Sequence, residues 1–233
     1  YVLAYLCELS AIPIANISTV LFRCSSSWLM IENNKHPVSL LLVQILGLIN
    51  ETSSNLLVML ESISPHSIFV PCFKSLINNI PQAFTQFSLN TVQNLIVHLG
   101  ESDVNAYELF NALIVNCRID DNTKKAVSSI LPMIFPIILK AAVSPQSECT
   151  FEDNDSPVFV LSNQMIYEIV KLTRSTSQFS QLANELVCSE ISGERELGIS
   201  IFGFLIQLNL LLLDDELLAN VESFINDSSP RVR

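Results

Sequence analysis

The sequence has little of what a β-rich, disordered or nucleic-acid-binding protein needs. Its 233 residues include five glycines and ten prolines, which are few for the turns of an all-β chain. Charged residues make up only 15% and hydrophobic residues 49%, so the chain can bury a large core and is not disordered. The 12 basic residues form no patch with interleaved aromatics, and the net charge is −11. The sequence therefore lacks the clustered basic residues that are typical of nucleic-acid-binding proteins.

The sequence also lacks the motifs of catalysis and metal binding. His36, His66 and His98 are far apart and adjoin neither cysteine nor aspartate at ligand spacing, so no zinc site is predicted. No GxSxG, Walker-type or HExxH sequence occurs, and no serine or cysteine is paired with a base. We therefore expect a protein with no enzymatic activity, cofactor or metal, although a helical enzyme is kept as a rival interpretation.

The six cysteines are not arranged for metal or disulfide chemistry. None is in CxxC spacing, so they are interpreted as reduced core residues: Cys7, Cys24, Cys72, Cys117, Cys149 and Cys188.

A long apolar stretch without charge runs from Leu197 to Leu213 and is followed at once by three acidic residues. A spanning helix needs about 20 apolar residues, so this stretch is interpreted as a buried helix that runs into a turn. A membrane-associated helical protein remains a rival interpretation.

Apolar residues recur at helical spacing throughout the chain. Val104, Tyr107, Phe110, Ile114 and Cys117, for example, step by three or four and give one apolar stripe. Sustained alternation of apolar and polar residues is absent, which favours an all-α fold. The predicted helices cover 1–10, 13–31, 37–50, 53–62, 65–78, 82–99, 103–117, 122–143, 157–173, 177–188, 193–209 and 214–226.

Prolines and glycines inside two of these helices predict local departures from a regular, freely exposed helix. Pro132 and Pro136 are expected to kink or split the helix over 122–143, since each removes a backbone donor. Gly198 and Gly203 cost stability inside a helix, so they predict close helix packing.

The end of the chain contains an internal similarity. Leu182 to Glu196 aligns with Leu218 to Val232 at an offset of 36 residues, and Arg195 then falls on Arg231. Both stretches read as an apolar helix, a polar turn and a new helix start. The interval is typical of stacked helix pairs, so we expect the chain to end inside a repeat.

The last nine residues, INDSSPRVR, resemble the turn of a HEAT repeat. Asp227 and Arg233 are six apart, the separation of the Asp and Arg that form hydrogen-bonded ladders between neighbouring HEAT repeats. The resemblance implies the same structural role for these two residues, because a carboxylate and a guanidinium fork fix geometry as well as charge.

Upstream segments are similar to the importin-β superfamily of nuclear transport receptors, particularly to its importin-beta-three branch. The similarity rests on ILPMIFPIILKAAVSP, the acidic insertion SECTFEDNDSP and the helix VFVLSNQMIYEIVKLTRS, and it covers roughly the last 130 residues. It implies a right-handed α-α superhelix of antiparallel helix pairs over 1–233. The chain would be one continuous middle segment of a longer protein, with an acidic loop at 144–157.

That resemblance implies a carrier that shuttles between cytoplasm and nucleus. It would bind basic import signals of cargo proteins, contact Phe-Gly nucleoporins and release cargo when Ran-GTP binds, mostly through residues outside this segment. Neither nucleic acid nor membrane insertion is expected. The nearest rival is a HEAT scaffold subunit of a phosphatase or chromatin complex.

Two sets of acidic residues are candidate cargo contacts. Glu148, Glu152, Asp153 and Asp155 surround Phe151 in the acidic loop and would attract a Lys/Arg-rich signal, although a solvated insertion has the same composition. Glu194 and Glu196 begin a helix that would line the concave face. Ordinary first-turn acids that complement the helix dipole are the competing interpretation.

Overall fold

The computed structural model describes residues 43, 46, 47, 52, 54–62, 69–118, 120–143 and 156–212, together with residues 225, 227, 229 and 232. These residues form helices and connecting turns and contain no strand, so the predicted all-α class is confirmed for this part of the chain. The chain divides into two compact units, Tyr1–Ile134 and Phe135–Arg233.

The first unit contains four α-helices and one short 3₁₀ helix within its described residues, and a fifth α-helix crosses into the second unit. The elements are α1 (Ser54–Ser62), α2 (Phe69–Asn79), the 3₁₀ helix (Pro81–Gln86), α3 (Leu89–Gly100), α4 (Val104–Asn116) and α5 (Asp121–Ala141).

The core of the first unit lies between α2 and α4. Helix α2 packs against α1, the 3₁₀ helix and α4, while α3 packs against α4. Phe69, Phe73, Tyr107 and Phe110 are almost completely buried. Burial of each such side chain stabilises the fold by roughly 1.5–3 kcal/mol, so these four aromatic residues contribute substantially to the described part of the unit. The apolar stripe predicted from Val104 to Cys117 is confirmed by this packing.

The predicted helix over 82–99 is wrong, because the chain leaves the helical conformation near Ser88. Phe87 is extended, and its ring packs edge-on against Phe73 with centroids 4.3 Å apart. Ser88 then acts as the N-cap of α3, where its hydroxyl accepts the N–H of Thr91 at 3.3 Å. The aromatic contact and the cap together separate a 3₁₀ helix from α3.

A side chain of helix α1 also caps the N-terminal end of α3. The Glu61 carboxylate accepts the Ser88 N–H at 2.7 Å and the Thr91 hydroxyl at 3.1 Å. These bonds to the first turn of α3, led by the Ser88 N–H, hold the pKa of Glu61 below its usual value. A carboxylate from one helix therefore satisfies the open donors at the start of another.

Further polar contacts join residues about one helix pair apart. Lys74 of α2 forms an ion pair with Glu108 of α4, at a separation of 34 residues. The Ser75 hydroxyl donates to the Val43 carbonyl at 2.7 Å, and the Asn79 amide donates to the Gly47 carbonyl, each 32 residues away. These bonds fix the position of α2 relative to the segments that its side chains contact.

Helix α5 continues through both of its prolines, so the alternative in which they split it is wrong. Val127, Ile130, Ile134 and Ile138 are buried on one side, whereas Pro132 and Pro136 are exposed. The carbonyls that lose a helical donor are those of Ser128 and Pro132, both of which belong to exposed residues. Water can satisfy these carbonyls, which explains why the helix persists.

The second unit contains three further helices within its described residues: α6 (Pro157–Thr173), α7 (Thr176–Val187) and α8 (Ser192–Gln207). Helix α6 begins at the N-cap Ser156, whose hydroxyl accepts the Phe159 N–H at 3.2 Å, with Pro157 in the first turn. Helices α7 and α8 form a hairpin, and α8 also packs against α6.

Gly198 lies where α8 approaches α7 closely. A Cβ atom built at Gly198 would lie 2.7 Å from Val187 Cγ1, 2.9 Å from Val187 N and 3.0 Å from the Ala183 carbonyl oxygen. Gly203 is exposed and would meet nothing within 4 Å. The predicted close packing is therefore confirmed at Gly198 and wrong at Gly203.

The described cysteines differ in environment. Cys72 and Cys117 are buried thiols, as predicted, and burial raises the pKa of the Cys72 thiol to about 12. Cys188 is free but exposed, because it forms the C-cap of α7 at a turn, so its assignment to the core is wrong. Cys7, Cys24 and Cys149 lie outside the described residues.

The uncharged stretch from Leu197 contributes the body of α8 and then turns. The helix ends at Gln207, Asn209 has a left-handed φ of 54°, and Leu212 is 84% exposed. Among the described helices, none has the length and apolar character needed to cross a membrane.

Gly198→Ala is expected to lower the free energy of unfolding by about 1–3 kcal/mol, because two of the three close atoms belong to the backbone of α7 and cannot rotate away. Gly203→Ala is the matched control and should raise stability by about 0.5–1 kcal/mol, since alanine has the higher helix propensity. Urea denaturation followed by circular dichroism measures both. Equal effects of the two substitutions would contradict the close contact.

Glu61→Gln keeps an oxygen that can accept hydrogen bonds but removes the charge. A depressed folded-state pKa means that the carboxylate stabilises the protein above its unfolded pKa, near 4.5, and that this contribution is lost as pH falls through the folded value. We expect a loss of about 0.5–1 kcal/mol at neutral pH, which disappears at acid pH once the carboxylate is protonated in both the folded and the unfolded states.

The control for this substitution is Glu101→Gln, which removes an exposed carboxylate at the other end of α3. A negative charge is unfavourable at the C-terminal end of a helix, so the control should not destabilise the protein. Urea denaturation at a series of pH values measures both variants. A pH-independent loss in Glu61→Gln would contradict the capping role.

Candidate functional site

The turn between α7 and α8 is organised by Ser189 and Arg195. The Ser189 hydroxyl donates to the Glu194 carboxylate and accepts the Ile191 N–H at 3.1 Å. Arg195 Nη1 donates to the carbonyls of Ser189 at 3.1 Å and Glu190 at 2.9 Å. The turn therefore places one guanidinium beside the first turn of α8 and uses part of it to hold the loop.

The remaining donors of Arg195 bind Asp227. Nε donates to Oδ2 at 2.7 Å and Nη2 donates to Oδ1 at 2.8 Å, which is a bidentate pair. The side chains are only 15% and 10% exposed. Asp227 Oδ1 also accepts the Ser229 N–H at 2.7 Å. Arg195 thus joins the α7–α8 turn to a segment 32 residues further along the chain.

The electrostatics of this pair favour its charged form. Hydrogen bonding to Asp227 is the main effect that raises the pKa of Arg195, against the opposing effect of desolvation. The guanidinium therefore remains charged at any pH the protein meets. Breaking the pair would leave a mostly buried carboxylate without its cation, which is costlier than losing an exposed ion pair.

Of the residues predicted from the HEAT resemblance, Asp227 is paired and Arg233 lies outside the described residues. The partner of Asp227 within the described part is Arg195. The sequence alignment matched Arg195 with Arg231 but did not assign it a partner. The ladder role of Arg233 stays a prediction.

Glu194 and Glu196 flank Arg195 near the start of α8 and are both half-buried, but only Glu194 lies in the first turn of the helix. The Glu194 carboxylate already accepts the Ser189 hydroxyl, and the Glu196 carbonyl accepts the Ser200 hydroxyl at 3.0 Å. Glu194 therefore has a structural partner of its own, and the role of both residues as cargo contacts stays a prediction. The acidic-loop residues Glu148, Glu152, Asp153 and Asp155 lie outside the described residues.

Several polar residues that join helices carry no motif in the sequence. Arg195, Lys74 with Glu108, and Glu61 were not predicted as pairing residues. Their one sequence signal is the distance along the chain between each residue and its partner, because these side chains contact residues 27–34 positions away. A search for opposite charges at that interval would have found Lys74 and Glu108, and also Arg195 and Asp227.

The interactions around this turn are structural contacts that hold helices and turns together. The strongest interactions described above are a buried guanidinium–carboxylate pair and a carboxylate that caps a helix. No group of three or more His, Cys, Asp or Glu side chains that could hold a metal occurs in the part of the chain the structure describes. His98 lies 3.4 Å from Glu101 at the end of α3 and is remote in sequence from the Arg195 turn.

The chain matches no known family model, no curated protein and no solved structure.

Arg195→Lys keeps the positive charge but removes the fork, so a single ammonium must replace four hydrogen bonds to three acceptor residues. We expect a loss of about 1–3 kcal/mol in the free energy of unfolding, together with faster amide exchange in the segment around Asp227 and Ser229.

Arg174→Lys is the matched control, because Arg174 is an exposed arginine in the same unit. It should change stability by less than about 0.5 kcal/mol. Urea denaturation and hydrogen exchange measure both variants. If the two substitutions behave alike, the guanidinium fork does not hold the Asp227 segment.

Proposed function

We propose that this chain is a binding segment of a nuclear transport receptor, built as a superhelix of stacked helix pairs. It binds basic import signals of cargo proteins and releases them when Ran-GTP binds. The single observation that supports a stacked array best is the recurrence of contacts between residues about one helix pair apart. It is seen in the first unit at Lys74–Glu108 and in the second at Arg195–Asp227, with separations of 34 and 32 residues.

Such an array acts by shape and charge. Each helix pair contacts its neighbours, so small rotations between pairs add up to a change in curvature, and two ligands can compete through it. The net charge of −11 supports a basic ligand, because an acidic surface raises the local concentration of Lys/Arg-rich peptides. The similarity of 144–157 to an acidic insertion of import receptors selects the loop as the first contact.

A HEAT scaffold subunit of another complex is the second candidate. The same recurrent contacts favour it, because stacked helix pairs serve as rigid platforms as readily as carriers. The two functions differ in what accompanies the natural protein in cells. A carrier binds Ran-GTP and Phe-Gly nucleoporins, whereas a scaffold is recovered with a fixed set of subunits.

The proposal predicts that the protein binds an immobilised Lys/Arg-rich import signal and that Ran-GTP, but not Ran-GDP, displaces it. The affinity should fall as salt is raised, because exposed charges are screened over about 10 Å at 0.1 M ionic strength. Fluorescence anisotropy with a labelled basic peptide measures this, and a peptide with its basic residues replaced by serine is the negative control. Absence of Ran-GTP binding by the natural protein would contradict a transport role.

Loop variants locate the contact. Replacing Glu148, Glu152, Asp153 and Asp155 by their amides should weaken peptide binding by about tenfold or more. The matched control removes four exposed carboxylates elsewhere: Glu101, Asp121, Glu185 and Glu190. An equal loss in both variants would show that net charge alone attracts the peptide and that the loop is not a site.

A further inference from the structure

The turn that carries Asp227 contains a serine directly followed by a proline, Ser229 and Pro230, and both Asp227 and Ser229 are non-helical. The Ser229 N–H donates to Asp227 Oδ1 at 2.7 Å, and the Ser229 carbonyl accepts the Val232 N–H at 3.2 Å. Val232 is buried. The backbone is therefore held on both sides of Ser229, while Ser229 itself stays partly exposed.

A serine followed by a proline is the acceptor sequence of proline-directed protein kinases. Proline restricts the residue before it to extended backbone, the conformation in which many peptides lie in a protein groove. Ser156 also precedes a proline, but its hydroxyl is engaged as the N-cap of α6, where it accepts the Phe159 N–H at 3.2 Å. Ser229 differs from Ser156 in its direct bond to one member of a mostly buried ion pair.

A phosphate on Ser229 would lie close to the carboxylate of Asp227. Bond lengths keep the hydroxyl oxygen of a serine within about 4 Å of its own nitrogen, and that nitrogen is 2.7 Å from Asp227 Oδ1. The phosphate brings a charge of about −1.5 to −2 to this position, inside the Debye length of about 10 Å at 0.1 M salt. The Asp227 side chain is only 10% exposed, so solvent screens the repulsion weakly.

Arg195 cannot bind such a phosphate in addition to its present partners. Its guanidinium already donates twice to Asp227 and once to each of the carbonyls of Ser189 and Glu190. The donors of a guanidinium lie in one plane and are nearly all used by these bonds. A bidentate bond to a phosphate therefore requires the release of Asp227 or of the α7–α8 turn, and in either case the present contact is lost.

We propose that Ser229 is a phosphorylation site for a proline-directed kinase and that its phosphate opens the contact between Arg195 and Asp227. In the reaction, the Ser229 hydroxyl oxygen bonds to the γ-phosphorus of ATP and the bond from that phosphorus to the β–γ bridging oxygen breaks. ADP leaves, and the hydroxyl proton passes to a base of the kinase. Because the contact joins residues 32 positions apart, one modification loosens two segments. The site is independent of what the chain binds.

Treatment of the complete protein with ATP and a proline-directed kinase tests the acceptor, and mass spectrometry locates the phosphate. One cyclin-dependent and one mitogen-activated kinase are used. We expect phosphate on Ser229 of the folded wild type, and none on this residue in Pro230→Ala, which keeps the serine but removes the recognised proline. The acceptor is overturned if neither kinase modifies Ser229 in the wild type, or if Pro230→Ala is modified equally.

Hydrogen exchange tests the structural consequence. Amides of residues 188–191 and 225–232 should exchange at least about tenfold faster in the phosphorylated wild type than in the unmodified protein, with α4 unchanged. Ser229→Ala treated with the same kinase is the matched control, because it keeps the N–H that binds Asp227 and every other serine–proline pair. Circular dichroism verifies folding.

Arg195→Lys gives a second readout, because this variant already lacks the guanidinium fork. Phosphorylation of Ser229 should add little to the exchange of residues 225–232 in Arg195→Lys, whereas it should raise that exchange in the wild type. Opening of the contact is overturned if phosphorylation leaves the wild-type exchange unchanged, or if it raises exchange equally in wild type, Ser229→Ala and Arg195→Lys.

Discussion

Burial of the apolar sides of helices against one another, both consecutive helices and helices further apart in the sequence, is the constraint on which the described structure depends. Helix α2 illustrates it, because its buried residues meet α4 rather than only the helix next in sequence. An isolated pair would leave much of this apolar surface in water, at roughly 25 cal/mol for each Å². The polar contacts contribute less free energy than the apolar burial, but they determine how the helices align. Glu61 fixes the start of α3, and Lys74 fixes the position of α2 along α4.

Helical periodicity predicted the fold class and most elements, because an apolar stripe depends on sequence alone. The predicted helices 103–117 and 157–173 agree closely with α4 and α6. The prediction was wrong near Phe87, where an aromatic contact with a residue fourteen positions earlier outweighed helix propensity. The difference between Gly198 and Gly203 could not be predicted either, since only the approach of α7 distinguishes two glycines of one helix.

The candidate site was predicted in part. Asp227 was selected because its turn resembles a HEAT turn, and a carboxylate in such a turn needs a donor. Its pairing with Arg195 depends on how a segment 32 residues away folds back, which no local pattern contains. The contact intervals of 30–34 residues for Glu61–Thr91, Lys74–Glu108 and Arg195–Asp227 are shorter than the alignment offset of 36. The alignment matches like positions of two stretches, whereas a hydrogen bond joins a donor and an acceptor at unlike positions.

The regular sequence spacing between these hydrogen-bonded residues also affects which insertions and deletions such a protein could accept during evolution. In the stacked array proposed above, each cross-contact would reach only about one helix pair along the chain, so duplicating or deleting a whole pair would leave every remaining pair with a neighbour at the same spacing. Insertion of a few residues within a helix would instead displace donors from acceptors along the entire contact. Under that proposal, the number of helix pairs could change in evolution, while the spacing inside a pair would be held fixed by its hydrogen bonds.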